Sequence, residues 1–111
     1  MDKSIEKTIQ ATLLDIGVPA NLLGFKYLAY AEQLLLADSE YMRNYKMLCY
    51  DVAKNFKTTP RCFESCIRNA INVCWLNCNQ ELNQQIFKNS VRKTRPTNKQ
   101  FLHAVFFYLD N

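Results

Sequence analysis

The sequence predicts an all-α protein of about six helices that contain a helix-turn-helix, and the scarcity of helix breakers and the spacing of apolar residues point to this class. Only 2 Gly and 3 Pro interrupt the 111 residues. Apolar residues recur every three or four positions, and few stretches alternate as strands do. Hydrophobic residues make up 49 % of the chain, which is enough for a core at this size. The length suits one domain, and we see neither an internal repeat nor a linker.

The first predicted helix covers residues 4–16. Its apolar face carries Ile5, Ile9, Leu13 and Ile16. Gly17 and Pro19 follow directly, and these residues commonly stand just beyond the end of a helix. A second helix, rich in Leu, Tyr and Ala, is predicted over residues 21–37.

The next segment is predicted to be helical over residues 40–56, with a break near residues 48–51. Asp38 or Ser39 is placed to cap its start, because short polar side chains accept hydrogen bonds from the first amides of a helix.

Residues 51–78 predict a helix-turn-helix, in which a supporting helix and a tight turn hold a second helix for the DNA major groove. Thr59 is a suitable N-cap and Pro60 suits the first helical position, so the second helix runs from Pro60 to about Cys78. Its predicted core face carries Phe63, Cys66, Ile67, Ala70 and Cys74. Its opposite face carries Arg61, Ser65, Arg68, Asn69 and Asn72, with Cys62 and Glu64 at the edges.

The remainder of the chain predicts a short fifth helix over residues 77–89 and a basic loop over residues 90–96. Thr97 and Gln100 have the spacing of a capping box, which predicts the start of a final helix. The apolar face of that helix carries Phe101, Leu102, Val105, Phe106 and Leu109.

Three blocks, IGVPANLLGFKYL, DVAKNFKTTPRCFESCIRNAINVCW and RPTNKQF, resemble the DNA-binding effector domain of the stage-zero sporulation protein A, a response regulator that starts endospore formation. They occur in the family's order and spacing, and the resemblance extends from about Ile5 to Leu109. It implies a six-helix fold with a recognition helix at about residues 60–78. It also implies sequence-specific binding to promoter DNA, often as tandem copies.

The chain departs from the family pattern in two ways. Family members normally carry an N-terminal receiver domain, whereas residues 1–111 are predicted to form a single effector domain, either stand-alone or excised, without a receiver. A stand-alone effector would not be switched by phosphorylation in cis. The second departure concerns the recognition helix, where Cys62 and Ser65 stand in place of arginines and Asn69 in place of a histidine.

The resemblance and the helix-turn-helix geometry together predict the DNA contacts. The candidates for reading bases are Arg61, Glu64, Ser65, Arg68, Asn69 and Asn72. The candidates for contacting phosphates are Lys54, Lys57, Thr59, Arg92, Lys93 and Arg95. A bidentate arginine–guanine contact contributes roughly 1–3 kcal/mol of discrimination, so the loss of two arginines predicts a preferred site that differs from the family's DNA box.

Cysteine and histidine do not predict a metal site or an active site. Cys62 and Cys66 form one pair four residues apart and Cys74 and Cys78 another, but the pairs lie roughly 12 Å apart along one helix and cannot surround one zinc ion. We expect Cys66 and Cys74 to pack in the core and Cys62 to be exposed to oxidation. His103 is the only histidine, and no phosphate loop or nucleophile elbow is present. The prediction is a non-enzyme without metal or cofactor.

The formal net charge of +4 permits nucleic-acid binding without requiring it. No signal peptide or membrane span is evident, so we expect a bacterial cytoplasmic protein that joins the nucleoid when it is bound to DNA. The expected partner is double-stranded promoter DNA, bound by a homodimer or by tandem copies. The alternative is a protein-interaction module that has lost specific DNA reading and modulates a full-length family regulator, with Phe106, Phe107 and Tyr108 as a candidate interface.

Overall fold

The structure is a computed structural model, and it describes residues 3–77, 81, 85–87 and 95–110. Within this part of the chain all regular structure is helical, which confirms the all-α prediction. Six helices have both bounds within the described residues: α1 (Lys3–Ile16), α2 (Leu23–Ala37), α3 (Glu40–Arg43), α4 (Tyr45–Asn55), α5 (Pro60–Leu76) and α6 (Asn98–Asp110). Residues 81, 85 and 86 are helical as well. The helix predicted over residues 77–89 and the loop predicted over residues 90–96 lie largely outside the described residues.

Helix α1 ends where the sequence predicts. Gly17 adopts φ 108°, a left-handed conformation that favours glycine. Its amide donates to the Leu14 carbonyl at 3.1 Å, and the Val18 amide donates to the Leu13 carbonyl at 2.9 Å. These are the two hydrogen bonds of the Schellman motif, which closes a helix with a left-handed residue.

Two predicted boundaries were wrong. Helix α2 begins at Leu23 rather than at Asn21, because the Leu22 amide turns back to the Pro19 carbonyl at 3.3 Å. The break in the third segment falls at Asn44 rather than near residues 48–51. The Asn44 Oδ1 accepts the Met47 amide at 3.1 Å, so Asn44 caps a new helix, α4.

The helix caps predicted elsewhere are present. Asp38 rather than Ser39 accepts a hydrogen bond from the next helix, because the Glu40 amide donates to Asp38 Oδ1 at 3.0 Å. Thr97 and Gln100 form the predicted reciprocal pair at the start of α6. The Thr97 amide donates to Gln100 Oε1 at 3.0 Å, and the Gln100 amide donates to Thr97 Oγ1 at 3.1 Å.

Helix α2 lies at the centre of the described structure and packs against each of the other five helices. It crosses α5 closely at Gly24, where a Cβ atom would lie 2.5 Å from the Cys66 carbonyl oxygen and 2.7 Å from the Ala70 Cβ. Such distances leave room only for hydrogen. The same helix also carries Glu32, whose carboxylate oxygens are fully buried without a hydrogen-bond partner.

The predicted core faces are mostly buried. Residues confirmed as core are Ile9, Leu13, Ile16, Phe63, Ile67, Ala70, Cys74, Phe101, Leu102 and Val105. The prediction was wrong for Ile5, which is 41 % exposed because it lies in an open groove beside Leu36 and Leu109. It was also too strong for Cys66, Phe106 and Leu109, which are only half-buried.

Helix α5 ends at Leu76, two residues before the predicted end. The Asn77 amide donates to the Val73 and Cys74 carbonyls and so closes the helix. Cys78 lies outside the described residues. None of the described helices is long and apolar enough to cross a membrane.

Candidate nucleic-acid interface

The turn between α4 and α5 is closed by the same motif as the end of α1. Lys57 takes the left-handed position with φ 55°. Its amide donates to the Lys54 carbonyl at 3.2 Å, and the Thr58 amide donates to the Ala53 carbonyl at 2.9 Å. A lysine at this position bears the steric strain that a glycine would avoid. The turn fixes the angle at which α5 leaves α4.

The start of α5 follows the sequence prediction. Thr59 has an extended backbone, and its Oγ1 accepts the Cys62 amide at 3.1 Å. Pro60 occupies the first turn, where its missing N–H leaves no bond unmade. The cap and the proline thus fix the N-terminal end of α5, which a helix-turn-helix protein presents to the bases.

One face of α5 is exposed along the helix, and we call it the reading face. It consists of Arg61, Ser65, Arg68, Asn69 and Asn72. All five residues were predicted to lie on this side. Because Phe63, Ile67 and Ala70 anchor the opposite side in the core, the reading face cannot rotate inward without opening the domain.

Glu64 lies between the reading face and α4, at the edge that the sequence predicted. It is half-buried, and its Oε1 accepts a hydrogen bond from the Cys49 thiol at 3.5 Å. Burial, followed by the nearby Glu64 carboxylate, raises the pKa of Cys49 to about 12, and the neighbouring Tyr45 hydroxyl opposes this rise. Cys49 therefore remains a thiol and a donor at neutral pH.

A groove of about 420 Å³ runs between α5 and the start of α6. It is lined by Tyr45, Glu64, Arg68, Arg95, Thr97, Asn98 and Lys99. The Asn98 Nδ2 donates to the Glu64 carbonyl at 3.0 Å and so ties α6 to the recognition helix. Arg68, Arg95 and Lys99 make the groove cationic, with Glu64 as its one lining carboxylate, so it suits an anion.

Four of the six residues predicted to contact phosphates lie in the part of the chain that the structure describes. Lys54, Lys57, Thr59 and Arg95 are all exposed, with the two lysines beside the turn and Arg95 in the groove. The Thr59 hydroxyl oxygen already accepts an amide, which leaves its hydrogen to donate. Arg92 and Lys93 lie outside the described residues.

The sequence predictions omitted three polar residues that the structure places near the reading face. Lys99 and Asn98 line the groove described above, and Lys46 lines a second groove of about 400 Å³ together with Arg61. Lys99 carried a signal, because together with Lys88, Arg92, Lys93 and Arg95 it forms a basic stretch of sequence without an acidic residue. Asn98 follows the first residue of a capping box, and nothing in that pattern indicates a bond to a distant helix.

The described cysteines fall into two groups. Cys74 is buried as predicted, with its thiol donating to the Ile16 carbonyl at 3.2 Å, and Cys49 is buried beside Glu64. Cys62 and Cys66 are only half-buried, and their sulfur atoms lie 4.0 Å apart. Cys62 is therefore less exposed than predicted. Among the described residues no cluster of three or more His, Cys, Asp and Glu side chains could hold a metal ion.

His103 is half-buried in α6 rather than on its open surface. Its Nε2 atom is buried without a hydrogen-bond partner. Burial and then the positive charge of Lys99 lower its pKa, so the imidazole is neutral at neutral pH. The side chain thus packs as an uncharged ring.

The helix-turn-helix, the exposed polar face of α5 and the cationic groove beside it agree with a match to a known family. The family model described as "Sporulation initiation factor Spo0A C terminal" matches residues 9–109, nearly the whole chain. It is a family of DNA-binding regulatory domains rather than of enzymes. The chain therefore belongs to the family of the C-terminal domain of the sporulation initiation factor Spo0A, a sporulation-related DNA-binding effector domain.

Proposed function

We propose that this chain binds double-stranded promoter DNA sequence-specifically, with α5 in the major groove, and regulates transcription of sporulation-related genes. One observation carries the proposal. All five residues of the reading face are exposed, and cations flank it on two sides, with Lys54 and Lys57 at the turn and Arg95 in the groove. Base-reading groups and phosphate-binding groups are thus offered on neighbouring surfaces, as a protein that reads the major groove requires.

The reading face offers distinct chemistry to the base edges. Arg61 and Arg68 can each pair with the two acceptors of guanine, and Asn69 and Asn72 match the donor and acceptor of adenine. Ser65 can donate to or accept from either base. Glu64 would accept from the amino group of cytosine, provided that its carboxylate turns away from Cys49. The DNA sequence that these side chains prefer should therefore differ from the one preferred by a helix with arginines at positions 62 and 65.

Phosphate contacts would set the register of the helix on the duplex. We assign this role to Lys54, Lys57, Thr59 and Arg95, and also to Arg92 and Lys93 outside the described residues. These contacts strengthen binding to every sequence and make it salt-dependent. Tandem copies or a homodimer on adjacent sites would add specificity that one domain lacks.

Fluorescence-anisotropy titrations test the proposal with two duplexes, one carrying the family's DNA box and one scrambled, each at two salt concentrations. Because the reading face departs from the family, a selection from random duplexes supplies a third ligand. We expect a preferred duplex, and Arg68→Ala should weaken its binding by about 10- to 100-fold while leaving scrambled DNA much less affected.

Arg43→Ala is the matched control, because it removes the same charge from α3, which packs against α2 and α4. Arg43 is exposed and pairs with Glu40, and its loss should change neither affinity nor stability appreciably. Equal binding to every duplex at low salt, or equal losses in both variants, would contradict sequence-specific reading through α5.

A protein-interaction role is the second candidate, favoured by the exposed aromatic ring of Phe107, which is 59 % exposed and contacts Phe106. If no duplex binds, a mixing experiment with a full-length family regulator tests this role. Phe107→Ser should then abolish the complex and leave the fold intact.

A further inference from the structure

Cys62 and Cys66 lie one turn apart on α5, at the edge of the reading face. Their sulfur atoms are 4.0 Å apart, and both side chains are half-buried. The other two described cysteines, Cys49 and Cys74, are buried and donate to oxygen atoms of Glu64 and Ile16. The Cys62–Cys66 pair is thus the accessible pair of thiols in the described chain.

The separation of the two sulfur atoms fits a shared ligand better than a disulfide. Metal–thiolate bonds are about 2.3 Å long, so two sulfurs on one ion lie about 3.8 Å apart at a tetrahedral angle and about 4.6 Å apart in a linear arrangement. The observed 4.0 Å lies within this range. A disulfide would need an approach to about 2.05 Å, which this helical turn does not provide without distortion.

We propose that Cys62 and Cys66 form a two-thiolate site for one Cu(I) ion. Thiolate ligands select soft ions such as Cu(I), whereas zinc usually requires four nitrogen, sulfur or oxygen ligands. The described residues around the pair offer no third His, Cys, Asp or Glu donor. Binding exchanges protons for metal: two thiols and one Cu(I) ion give one bis-thiolate complex of charge −1 and two released protons.

The buried Tyr27 ring packs against Phe63, which lies between the two cysteines in the sequence. Burial, and after it the Cys62 and Cys66 side chains, raises the pKa of the Tyr27 hydroxyl. Because thiolates rather than thiols bind the metal, protons compete with it and the affinity for Cu(I) rises with pH.

If the chain binds DNA as proposed above, copper loading should weaken that binding. The neutral thiol pair becomes a unit of charge −1 beside Arg61 and Ser65, close to where phosphates approach. A single added negative charge near a phosphate at the protein surface weakens binding by about fivefold at low salt. Higher salt should reduce this effect through screening.

Titration with Cu(I) against a chromophoric Cu(I) chelator, in the absence of oxygen and DNA, tests the site. Native mass spectrometry supplies the stoichiometry. Wild type should hold one tightly bound Cu(I), and Cys62→Ser and Cys66→Ser should each lose it. Cys78→Ser removes a cysteine outside the described residues and should retain the ion. Circular dichroism checks that all three variants remain helical.

Copper retention in both serine variants of the pair, or its loss in Cys78→Ser, would overturn the site. A wild-type mass lower by two hydrogen atoms, with no copper, would show a disulfide and would also overturn it. The anisotropy titration is then repeated with loaded protein. An unchanged affinity for DNA overturns the coupling alone, and failure of all duplexes to bind refutes the proposed function while the metal result stands.

Discussion

Helices α2 and α5 pack against each other and have similar lengths of 15 and 17 residues, yet they are built in opposite ways. Most sides of α2 are covered, and its buried residues are Gly24, Phe25, Tyr27, Leu28, Ala29, Ala31, Glu32 and Leu35. Helix α5 buries one stripe and leaves the reading face open. The fold thus constrains nearly every position of α2, whereas the reading face can change without loss of structure. Ser65 and Asn69, which differ from the family pattern, both lie on the reading face and so fit this division.

The two helices also begin differently. Leu22 precedes α2 and makes no side-chain cap, whereas Thr59 caps α5 with a hydrogen bond to Cys62. Burial holds the start of α2 in place, and a local hydrogen bond holds the start of α5. The reading helix therefore depends on local chemistry where it leaves the core.

The largest effect is expected at the crossing of the two helices. Gly24→Ala places a methyl group 2.5 Å from the Cys66 carbonyl oxygen, and backbone cannot yield as a side chain can. We expect a loss of about 3 kcal/mol in the free energy of unfolding, measured by urea denaturation. Lys26→Ala, on an exposed position of α2, should change it by less than about 0.5 kcal/mol. A Gly24→Ala protein as stable as wild type would show that α2 and α5 can separate freely.

The buried carboxyl group of α2 gives the second effect. Burial raises the pKa of Glu32 well above its ordinary value of 4.5. The folded chain thus keeps a proton that the unfolded chain releases, so this residue's contribution to stability is full below pH 4.5 and is lost as pH rises towards the folded pKa. In Glu32→Gln the free energy of unfolding should fall less with rising pH, and at neutral pH it should exceed that of wild type by about 2 kcal/mol.

Denaturation curves at several pH values, with Glu40→Gln as control, measure this difference. Glu40 is exposed and pairs with Arg43, so its loss should have little effect at any pH. A wild-type stability that does not fall with rising pH, or falls equally in Glu32→Gln, would rule out Glu32 as the source.

The smallest effect separates stability from DNA binding at the turn before α5. Lys57→Gly relieves the left-handed strain and should stabilise the fold by about 1 kcal/mol, to be read from the thermal midpoint. The same change removes a cation beside the reading face and should weaken binding to all duplexes alike. Gly17, in the equivalent position after α1, already lacks the strain. A lower thermal midpoint in Lys57→Gly would mean that the lysine side chain itself stabilises the turn.

Features that depend on neighbouring residues could be predicted from the sequence. Gly17 marks the end of α1, Thr59 and Pro60 mark the start of α5, and Thr97 with Gln100 marks the start of α6, because each signal acts within one turn of helix. The division of α5 into buried and exposed faces followed from its apolar period alone.

Features that depend on distant packing could not be predicted in the same way. A helix covered on most sides shows no polar face, so the burial of Glu32 leaves no trace in the periodicity of α2. Cys66 is half-buried because its position lies at the edge of the stripe. Asn44 is an exception, because its bond to the Met47 amide acts within one turn and asparagine is an ordinary capping residue, whereas the predicted break lay near residues 48–51. Base contacts remain predictions, since they depend on the geometry of bound DNA.

The hydrogen bond from Asn98 to the Glu64 carbonyl joins residues 34 positions apart and has a consequence for variation in chain length. Because this bond fixes both ends of the intervening segment, the spacing between α5 and α6 does not depend on how many residues connect them. The width of the groove between the two helices is therefore set by this bond and by the packing of α6 on α5, and not by the length of the chain that joins them.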